Sequence, residues 1–170
     1  MQVRSAARRL ALDVLYEAEI RGSLPLEAFE LRSNYGWVVA TTAEEDDSSG
    51  SDPDGLPPGD EAVAYARVLV TGVQEHHAEI DGLIARYADR WTIDRMPVVD
   101  RNVVRIAVFE LLWADDVPVP VAINEAVLLA KSLSTDDSGR FVNGLLGRIA
   151  ETVVPSGSEG PSLNEPGDQV

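Results

Sequence analysis

Two adjacent histidines and the absence of cysteine limit the catalytic chemistry that the sequence can support. On a helix the side chains of His76 and His77 point about 100° apart, so they cannot bind the same metal ion. Without cysteine, disulfides, thiol nucleophiles and cysteine-based zinc sites are excluded. The sequence also has no glycine-rich phosphate loop and no nucleophile motif. It therefore predicts a binding protein that is not an enzyme, with no metal and no cofactor.

An arginine and a tyrosine share one face of the first predicted helix. Arg9 and Tyr16 are seven residues apart, which places them on the same side of a helix, away from its main apolar stripe. A tyrosine ring can stack on a nucleobase while arginines bind phosphates, and each stack contributes roughly 1–3 kcal/mol in proteins that bind single strands. The alternative is that Tyr16 lies at the edge of the core and the arginines are solvated.

The last predicted helix carries polar residues and glycines opposite its apolar side. Gly144 and Gly147 each cost roughly 1 kcal/mol relative to alanine inside a helix, so close approach of another group is expected there. A neighbouring helix is the common reason, and a partner protein or a nucleic-acid backbone is the other. Arg140 and Asn143, beside the glycines, suit a ligand surface.

The net charge of −15 is concentrated in two segments. Residues 44–61 contain eight acids and residues 151–170 contain four, with no base in either segment, whereas the first ten residues contain three arginines and no acid. Charges farther apart than roughly 8–10 Å are screened at physiological salt, so a local basic patch can still attract phosphate. The acidic total therefore does not exclude binding to nucleic acid.

Apolar residues recur at three- and four-residue spacing through most of the chain and predict an all-α bundle of about seven helices. Residues 99–114 are apolar on nearly every side, which predicts a helix at the centre of the core. Residues 41–59 are acidic and rich in serine, glycine and proline, so we expect a flexible loop inserted in a single domain of residues 1–152, followed by a disordered acidic tail at 153–170. The other predicted helices cover 4–21, a short stretch after Pro25, a stretch from Asp60 through Val73, 75–91, 119–133 and 136–152.

The N-terminal segment does not resemble a signal peptide, because Asp13, Glu17 and Glu19 interrupt its apolar residues. No apolar run approaches the roughly 20 residues that a membrane-spanning helix needs. We therefore predict a cytoplasmic protein that does not contact the membrane.

Several segments, taken together, resemble one family. Residues 96–112, MPVVDRNVVRIAVFELL, are similar to the central helix of the NusB family of transcription antitermination factors. Residues 121–131, VAINEAVLLAK, followed by 141–147, FVNGLLG, resemble its most recognisable stretch, and residues 7–17, ARRLALDVLYE, resemble its arginine-bearing first helix. The resemblance extends in order over about 7–32 and 60–152.

The resemblance implies an all-α fold of two packed helical halves. It also implies binding to the boxA RNA of ribosomal operon leaders together with NusE, a ribosomal small-subunit protein, in support of read-through by the RNA polymerase antitermination complex. By position, Asp100 would face NusE. The RNA side would contain Arg4, Arg8, Arg9, Tyr16, Asp137, Arg140 and Phe141.

Some of these positions have other interpretations. Phe141 also fits the apolar side of its helix, and Asp100 also suits a helix cap. The family usually begins with a more basic arm than the three arginines present here, so we expect weaker and less salt-sensitive RNA binding. Either the true start of the chain lies further upstream, or NusE supplies more of the affinity. The alternative function is a protein-interaction module with little RNA binding of its own. The apolar pattern fits a monomer and a homodimer equally well.

Overall fold

The computed structural model describes residues 2–37, 58–89 and 91–153. These residues form seven α-helices and one short 3₁₀ turn at Ile93–Arg95, without a strand, which confirms the predicted all-α class. Of the predicted loop at 41–59, the structure describes only residues 58 and 59, and of the predicted tail at 153–170 it describes only residue 153. The rest of both segments lies outside the described residues. The helices are α1 Gln2–Arg21, α2 Pro25–Tyr35, α3 Asp60–Glu75, α4 His77–Tyr87, α5 Val98–Trp113, α6 Val119–Leu133 and α7 Asp136–Val153.

The helices form two halves around α5. Helices α1, α2 and α3 pack against one another, α6 and α7 pack together on α5, and α4 contacts α5 and α7. Helix α5 also contacts α1 and α3, and eleven of its sixteen residues are buried, which confirms its predicted place at the centre of the core. Four of these buried residues, Asp100, Asn102, Arg105 and Glu110, are polar or charged, so their partners must come from the helices around them.

Most predicted helix limits agree with the structure, but the helix predicted for 75–91 is shorter at both ends and is observed as α4, His77–Tyr87. Helix α3 continues to Glu75, α4 ends at Tyr87 and Trp91 lies in the connection that follows. Asp89 has a φ of 52°, a left-handed conformation that a continuing helix does not allow. The last helix is capped at its start, since the backbone amide of Ser138 donates to Thr135 Oγ1 at 3.1 Å.

Glycines in α3 and α7 have opposite surroundings. A Cβ atom at Gly72 would lie 2.1 Å from the Phe109 ring, so glycine allows α3 to pack closely on α5. At Gly144 and Gly147 no described atom lies within 4 Å of the position that a Cβ would take. Close packing by a neighbouring helix therefore does not explain the two glycines of α7 within the described part of the chain.

Alanine substitutions at these glycines should have effects of opposite sign. Gly144→Ala is expected to raise the free energy of unfolding by about 1 kcal/mol, because alanine favours the helix and meets no neighbour. Gly72→Ala is expected to lower it by about 1–3 kcal/mol, because Phe109 must move. Urea unfolding followed by circular dichroism measures both. A loss of stability in Gly144→Ala would contradict the open surface of α7.

Candidate functional site

Arg8 lies inside the protein, although the sequence placed it on the RNA side. Its side chain is 4% exposed, and its Nε atom donates to both carboxylate oxygens of Glu110 at 3.0 Å. Its Nη1 atom lies 3.6 Å from Glu125 Oε2. A guanidinium enclosed in this way cannot reach RNA without leaving Glu110 charged and unpaired. The structure therefore corrects the prediction of a direct RNA contact at Arg8: this residue ties α1 to α5 and α6.

A tyrosine of α3 completes the surroundings of Glu110. The hydroxyl of Tyr65 donates to Glu110 Oε1 at 2.7 Å. Burial of Tyr65, together with this hydrogen bond to a carboxylate, raises the pKa of its hydroxyl well above the ordinary value. The hydroxyl therefore remains a hydrogen-bond donor at physiological pH, and the buried carboxylate has donors from α1 and α3.

Arg4 is partly exposed at the same end of α1. Its guanidinium forms an ion pair with Asp116, and it lies over the Tyr65 ring with 4.6 Å between the guanidinium carbon and the ring centroid. The hydrogen bond between the two groups raises the pKa of Arg4 and lowers that of Asp116. Exposed ion pairs of this kind contribute only about 0–1 kcal/mol. A phosphate can therefore compete with Asp116 for Arg4.

Arg9 and Tyr16 share an exposed face of α1, as predicted. The Arg9 side chain is 51% exposed with its Nε atom 3.6 Å from Asp13 Oδ1, and Tyr16 is 44% exposed. Tyr16 also lines a groove of about 590 Å³ between α1 and α2. The groove presents further exposed apolar side chains, which are Ile20, Leu31 and Tyr35.

The three predicted RNA residues of α7 lie together at its start. Asp137 and Arg140 are almost fully exposed, with Arg140 Nη1 3.6 Å from Asp137 Oδ1. Phe141 is half-buried and packs partly against the core. Its ring centroid lies 6.2 Å from that of Trp91, and the two rings are inclined by 56°. Phe141 thus belongs in part to the core and in part to a surface where an aromatic ring and an arginine are neighbours.

Asp100 lies close to these residues but is itself buried. Its carboxylate accepts a hydrogen bond from the hydroxyl of Ser138 at 2.8 Å through Oδ2. The alternative of a helix cap is not observed, because the cap position of α5 is Pro97 and no side chain caps it. Asp100 lines a cavity of about 320 Å³ together with Asp137 and Phe141. The predicted partner residue and part of the predicted RNA side therefore border one cavity.

The predicted site residues form two clusters, one along α1 and one at the start of α7. The α1 cluster, defined as Arg4, Arg9 and Tyr16, is anchored through Arg8 to Glu110 near the end of α5. The α7 cluster, defined as Asp137, Arg140 and Phe141, adjoins Asp100 near its start. Ten residues of helix separate Asp100 from Glu110, or about 15 Å at 1.5 Å per residue. An extended polymer suits such an arrangement better than a compact ligand.

A network around Glu19 joins α1 to the start of α5. Glu19 Oε2 accepts a hydrogen bond from Asn102 at 2.8 Å and lies 3.3 Å from Arg105 Nη1, while its other oxygen pairs with Arg101. Arg101 in turn donates to the backbone carbonyl of Met96 at 3.0 Å. The network therefore links α1 to the connection between α4 and α5, where Trp91 and the cavity lie.

The sequence analysis missed Trp91 as a functional candidate. It placed Trp91 at the end of one long helix, whereas the structure places it in a connection with 54% of its surface exposed. A large aromatic residue between a helical pattern and Pro97 was the available signal. Tyr35, 84% exposed at the end of α2, was missed in the same way.

Residues 5–151 match the NusB family. The chain belongs to the NusB family. This membership confirms the resemblance of the sequence and identifies the chain as an antitermination factor that is not an enzyme, as predicted.

Individual NusB proteins are similar to the chain over most of its length. It is 49% identical over 151 residues to the transcription antitermination protein NusB of Salinispora tropica, covering 89% of this chain and 97% of that protein. Among solved structures, T. maritima NusB has a TM-score of 0.67 and 32% identity, with 88% and 91% of the two chains covered. A crystal structure of antitermination factors NusB and NusE in complex with double-stranded RNA gives a TM-score of 0.67 at 29% identity, with 89% and 98% covered.

Two further properties concern the described residues alone. None of the seven helices has the length and apolar character needed to cross a membrane. Over residues 2–37, 58–89 and 91–153, no group of three or more histidine, aspartate or glutamate side chains is placed to hold a metal ion.

The buried position of Arg8 predicts a large difference between two neighbouring arginines. Arg8→Ala should lower the free energy of unfolding by about 3–5 kcal/mol, because it leaves Glu110 buried and unpaired. Arg9→Ala, at an exposed position, should change it by less than about 0.5 kcal/mol. Urea unfolding of both variants measures the difference, and equal stabilities would contradict the buried ion pair.

The surroundings of Glu19 predict a pH-dependent contribution to stability. Burial opposes the charged form of Glu19, but hydrogen bonds from Arg101 and Asn102 and the nearby arginines outweigh it and lower its pKa. A carboxyl group with a lowered pKa adds stability above its unfolded-state pKa of about 4.3 and loses it as the pH falls through the folded value. Glu19→Gln should therefore be less stable than the unsubstituted protein at pH 7.

Urea unfolding of the two proteins between pH 3 and pH 7 measures this contribution. The difference in their free energies of unfolding should narrow below about pH 4, where the unfolded-state carboxyl group takes up its proton. A difference in free energy of unfolding that stays constant from pH 3 to pH 7 would contradict the lowered pKa of Glu19.

Proposed function

We propose that this NusB-family protein binds boxA-type RNA of ribosomal operon leaders together with NusE, in the cytoplasm. The complex supports read-through by the RNA polymerase antitermination complex. The observation that carries the proposal is the pair of exposed clusters on α1 and α7, each of which combines arginine with a partly exposed aromatic ring. The related complex of NusB and NusE with RNA supports the choice of ligands.

The α1 and α7 clusters have the chemistry of a single-stranded RNA surface. Sequence-specific recognition of RNA uses bases that stack on aromatic or guanidinium planes. Tyr16 and Phe141 supply one ring each, and Arg4, Arg9 and Arg140 supply charge. Arg8 acts as a positioning residue, because its ion pair with Glu110 fixes the helix that carries the α1 cluster.

The electrostatic part of RNA binding is expected to be small. The three arginines of the two clusters each have an acidic neighbour within the chain: Asp116 for Arg4, Asp13 for Arg9 and Asp137 for Arg140. Three phosphate contacts would give a slope of log K against log salt of roughly −2, at about −0.7 per contact for single strands. NusE therefore supplies a substantial share of the affinity in this proposal.

A second candidate function is a protein-interaction module with little RNA binding of its own. The groove between α1 and α2 favours it, because Tyr16, Ile20, Leu31 and Tyr35 present exposed apolar surface there. Such surface is typical of sites that bind proteins. A second copy of the chain bound at this groove would give the homodimer that the sequence left open.

Fluorescence anisotropy of a labelled boxA RNA, with and without NusE, tests the proposal. We expect boxA to bind more tightly than a scrambled RNA, and more tightly still when NusE is present. Arg9→Ala and Arg140→Ala should each weaken binding severalfold and make the salt slope shallower by about 0.7. Arg86→Ala is the matched control, since Arg86 is exposed on α4 and belongs to neither cluster.

Three outcomes distinguish the two functions. Binding of NusE without preference for boxA over the scrambled RNA would support the interaction module and contradict RNA recognition. Equal losses in Arg9→Ala, Arg140→Ala and Arg86→Ala would show that only overall charge matters. Binding of neither NusE nor boxA would contradict both functions.

A further inference from the structure

A groove on the surface beside the α7 cluster combines aromatic, acidic and basic side chains. It lies between the residues that follow α4 and the side of α7, and its volume is about 610 Å³. This α7 groove is lined by Ala88, Asp89, Trp91, Phe141 and Arg148. Of these residues only Phe141 belongs to the α7 cluster, so the other four have no role in the proposed function.

The aromatic part of the α7 groove is open to solvent. The chain leaves the helical path of α4 at Asp89, whose φ is 52°, and Trp91 follows with 54% of its surface exposed. The ring centroids of Trp91 and Phe141 are 6.2 Å apart, so the two rings are neighbours on one surface. The bases of single-stranded nucleic acids stack on exposed rings of this kind.

Arg148 supplies an uncompensated positive charge to the α7 groove. Its Nη2 atom donates to the backbone carbonyl of Tyr87 at 3.1 Å, which holds the guanidinium at the groove. Within the described part of the chain no ion pair includes Arg148, whereas the arginines of the two clusters each have one. A guanidinium has several N–H donors in one plane, so most of them remain available to a phosphate.

Two glycines of α7 leave the surface between the α7 cluster and Arg148 open. Arg140, Gly144 and Arg148 follow one another at four-residue spacing, so they lie on one face of the helix. No described atom lies within 4 Å of the position that a Cβ of Gly144 or Gly147 would take. An RNA strand can therefore pass close to the helix backbone over the roughly 12 Å of rise between the two arginines.

We propose that the α7 groove binds one guanine nucleotide of a single-stranded RNA. The base stacks on Trp91, its Watson–Crick edge donates to the carboxylate of Asp89, and its phosphate binds Arg148. The inference rests on the proposed function, because RNA on the α7 cluster continues past Phe141 into the groove. It adds a second position on α7 at which the strand is bound and the identity of one base.

The carboxylate of Asp89 determines which base fits. An ionised carboxylate has two oxygens that only accept hydrogen bonds, and Asp89 is exposed at the groove. Guanine presents two neighbouring donors, its N1–H and N2–H groups, on the Watson–Crick edge, and both oxygens can accept from them. Adenine, cytosine and uracil each present one donor beside acceptors on this edge, and an acceptor that faces a carboxylate is unfavourable. Guanine is therefore the base that this groove selects.

The charges of the groove favour a nucleotide over a protein side chain. Asp89 and Arg148 are its two charged lining residues, one acidic and one basic. A cationic side chain that reached Asp89 would be repelled by Arg148, and an anionic one that reached Arg148 would be repelled by Asp89. A nucleotide has donors on its base and negative charge on its phosphate, and the distance between them lets each meet the matching group.

Uridine decamers that differ at one central position test which base is bound. We expect the decamer with guanosine to bind about tenfold more tightly than the one with adenosine. Inosine, which lacks the N2 amino group, should give an intermediate affinity. Fluorescence anisotropy with the full chain and without NusE measures these affinities. Binding of the guanosine decamer should also quench the fluorescence of Trp91, and this change should be absent in Trp91→Phe.

Asp89→Asn tests the contact with the base. Asparagine tolerates the left-handed φ of this position, but its side chain offers one acceptor oxygen and not two. The preference for guanosine over adenosine should therefore fall below about twofold. Asp94→Asn removes the same charge from an exposed residue that does not line the groove, and it should keep the preference.

Arg148→Gln tests the contact with the phosphate. Glutamine can still donate to the carbonyl of Tyr87, but it has no charge. It should weaken all decamers by the same factor and make the salt slope shallower by about 0.7. The preference for guanosine should stay, because phosphate contacts do not read the base. Arg67→Gln, at an exposed position of α3 outside the groove, should change neither property. Thermal unfolding of each variant shows whether it is folded.

Each contrary result has a distinct meaning. Equal affinities for the guanosine and adenosine decamers would overturn the proposal, even if boxA is still preferred over a scrambled RNA. Weaker NusE binding in Asp89→Asn or Arg148→Gln, without a change in RNA affinity, would assign the groove to the protein partner and would also overturn it. If boxA is not preferred over the scrambled RNA, the proposed function fails, and the decamers then decide alone whether the groove binds a guanine nucleotide.

Discussion

The burial of charged side chains on α5 is the constraint on which the rest of the structure depends. A carboxylate removed from water must have donors or a counter-charge, because its desolvation is otherwise too costly. Glu110 receives them from Arg8 of α1 and Tyr65 of α3, and Arg105 pairs with Asp81 of α4 at 2.8 Å. Hydrophobic packing would allow these helices to slide, whereas each of these pairs requires one register. The charged residues of α5 therefore determine where the surrounding helices lie.

The position of α1 illustrates how this constraint shapes the surface. Arg8 fixes the start of α1 against the end of α5, and Glu19 fixes the end of α1 against Arg101 and Asn102. With both ends held, only one side of the helix faces outward, and Arg9 and Tyr16 lie on it. An arginine that the sequence assigned to RNA binding is thus used inside the protein. Arg8 would therefore affect RNA binding only indirectly, by fixing the orientation of the neighbouring Arg9.

Local patterns predicted the helices well and the long-range contacts poorly. The limits of α6 agree with the prediction at both ends, and the start of α7 at Asp136 was correctly placed, because both depend on residues close in sequence. Arg8 was placed on the surface because its partner Glu110 is 102 positions away, and no local pattern reports such a pair. Yet Arg8 lies four residues before Leu12 and seven residues before Leu15, both of which are buried. Helical spacing therefore did indicate that Arg8 lies on the inner face of α1.

The two ends of α5 differ in how fully their buried carboxylates are paired by groups distant in sequence. At its end, both carboxylate oxygens of Glu110 accept hydrogen bonds from within the chain. At its start, Asp100 has one oxygen paired with Ser138 and one without a partner among the described residues. The sequence could suggest an acidic residue at the head of α5, but only the fold shows that this residue is buried and which of its oxygens is paired within the chain.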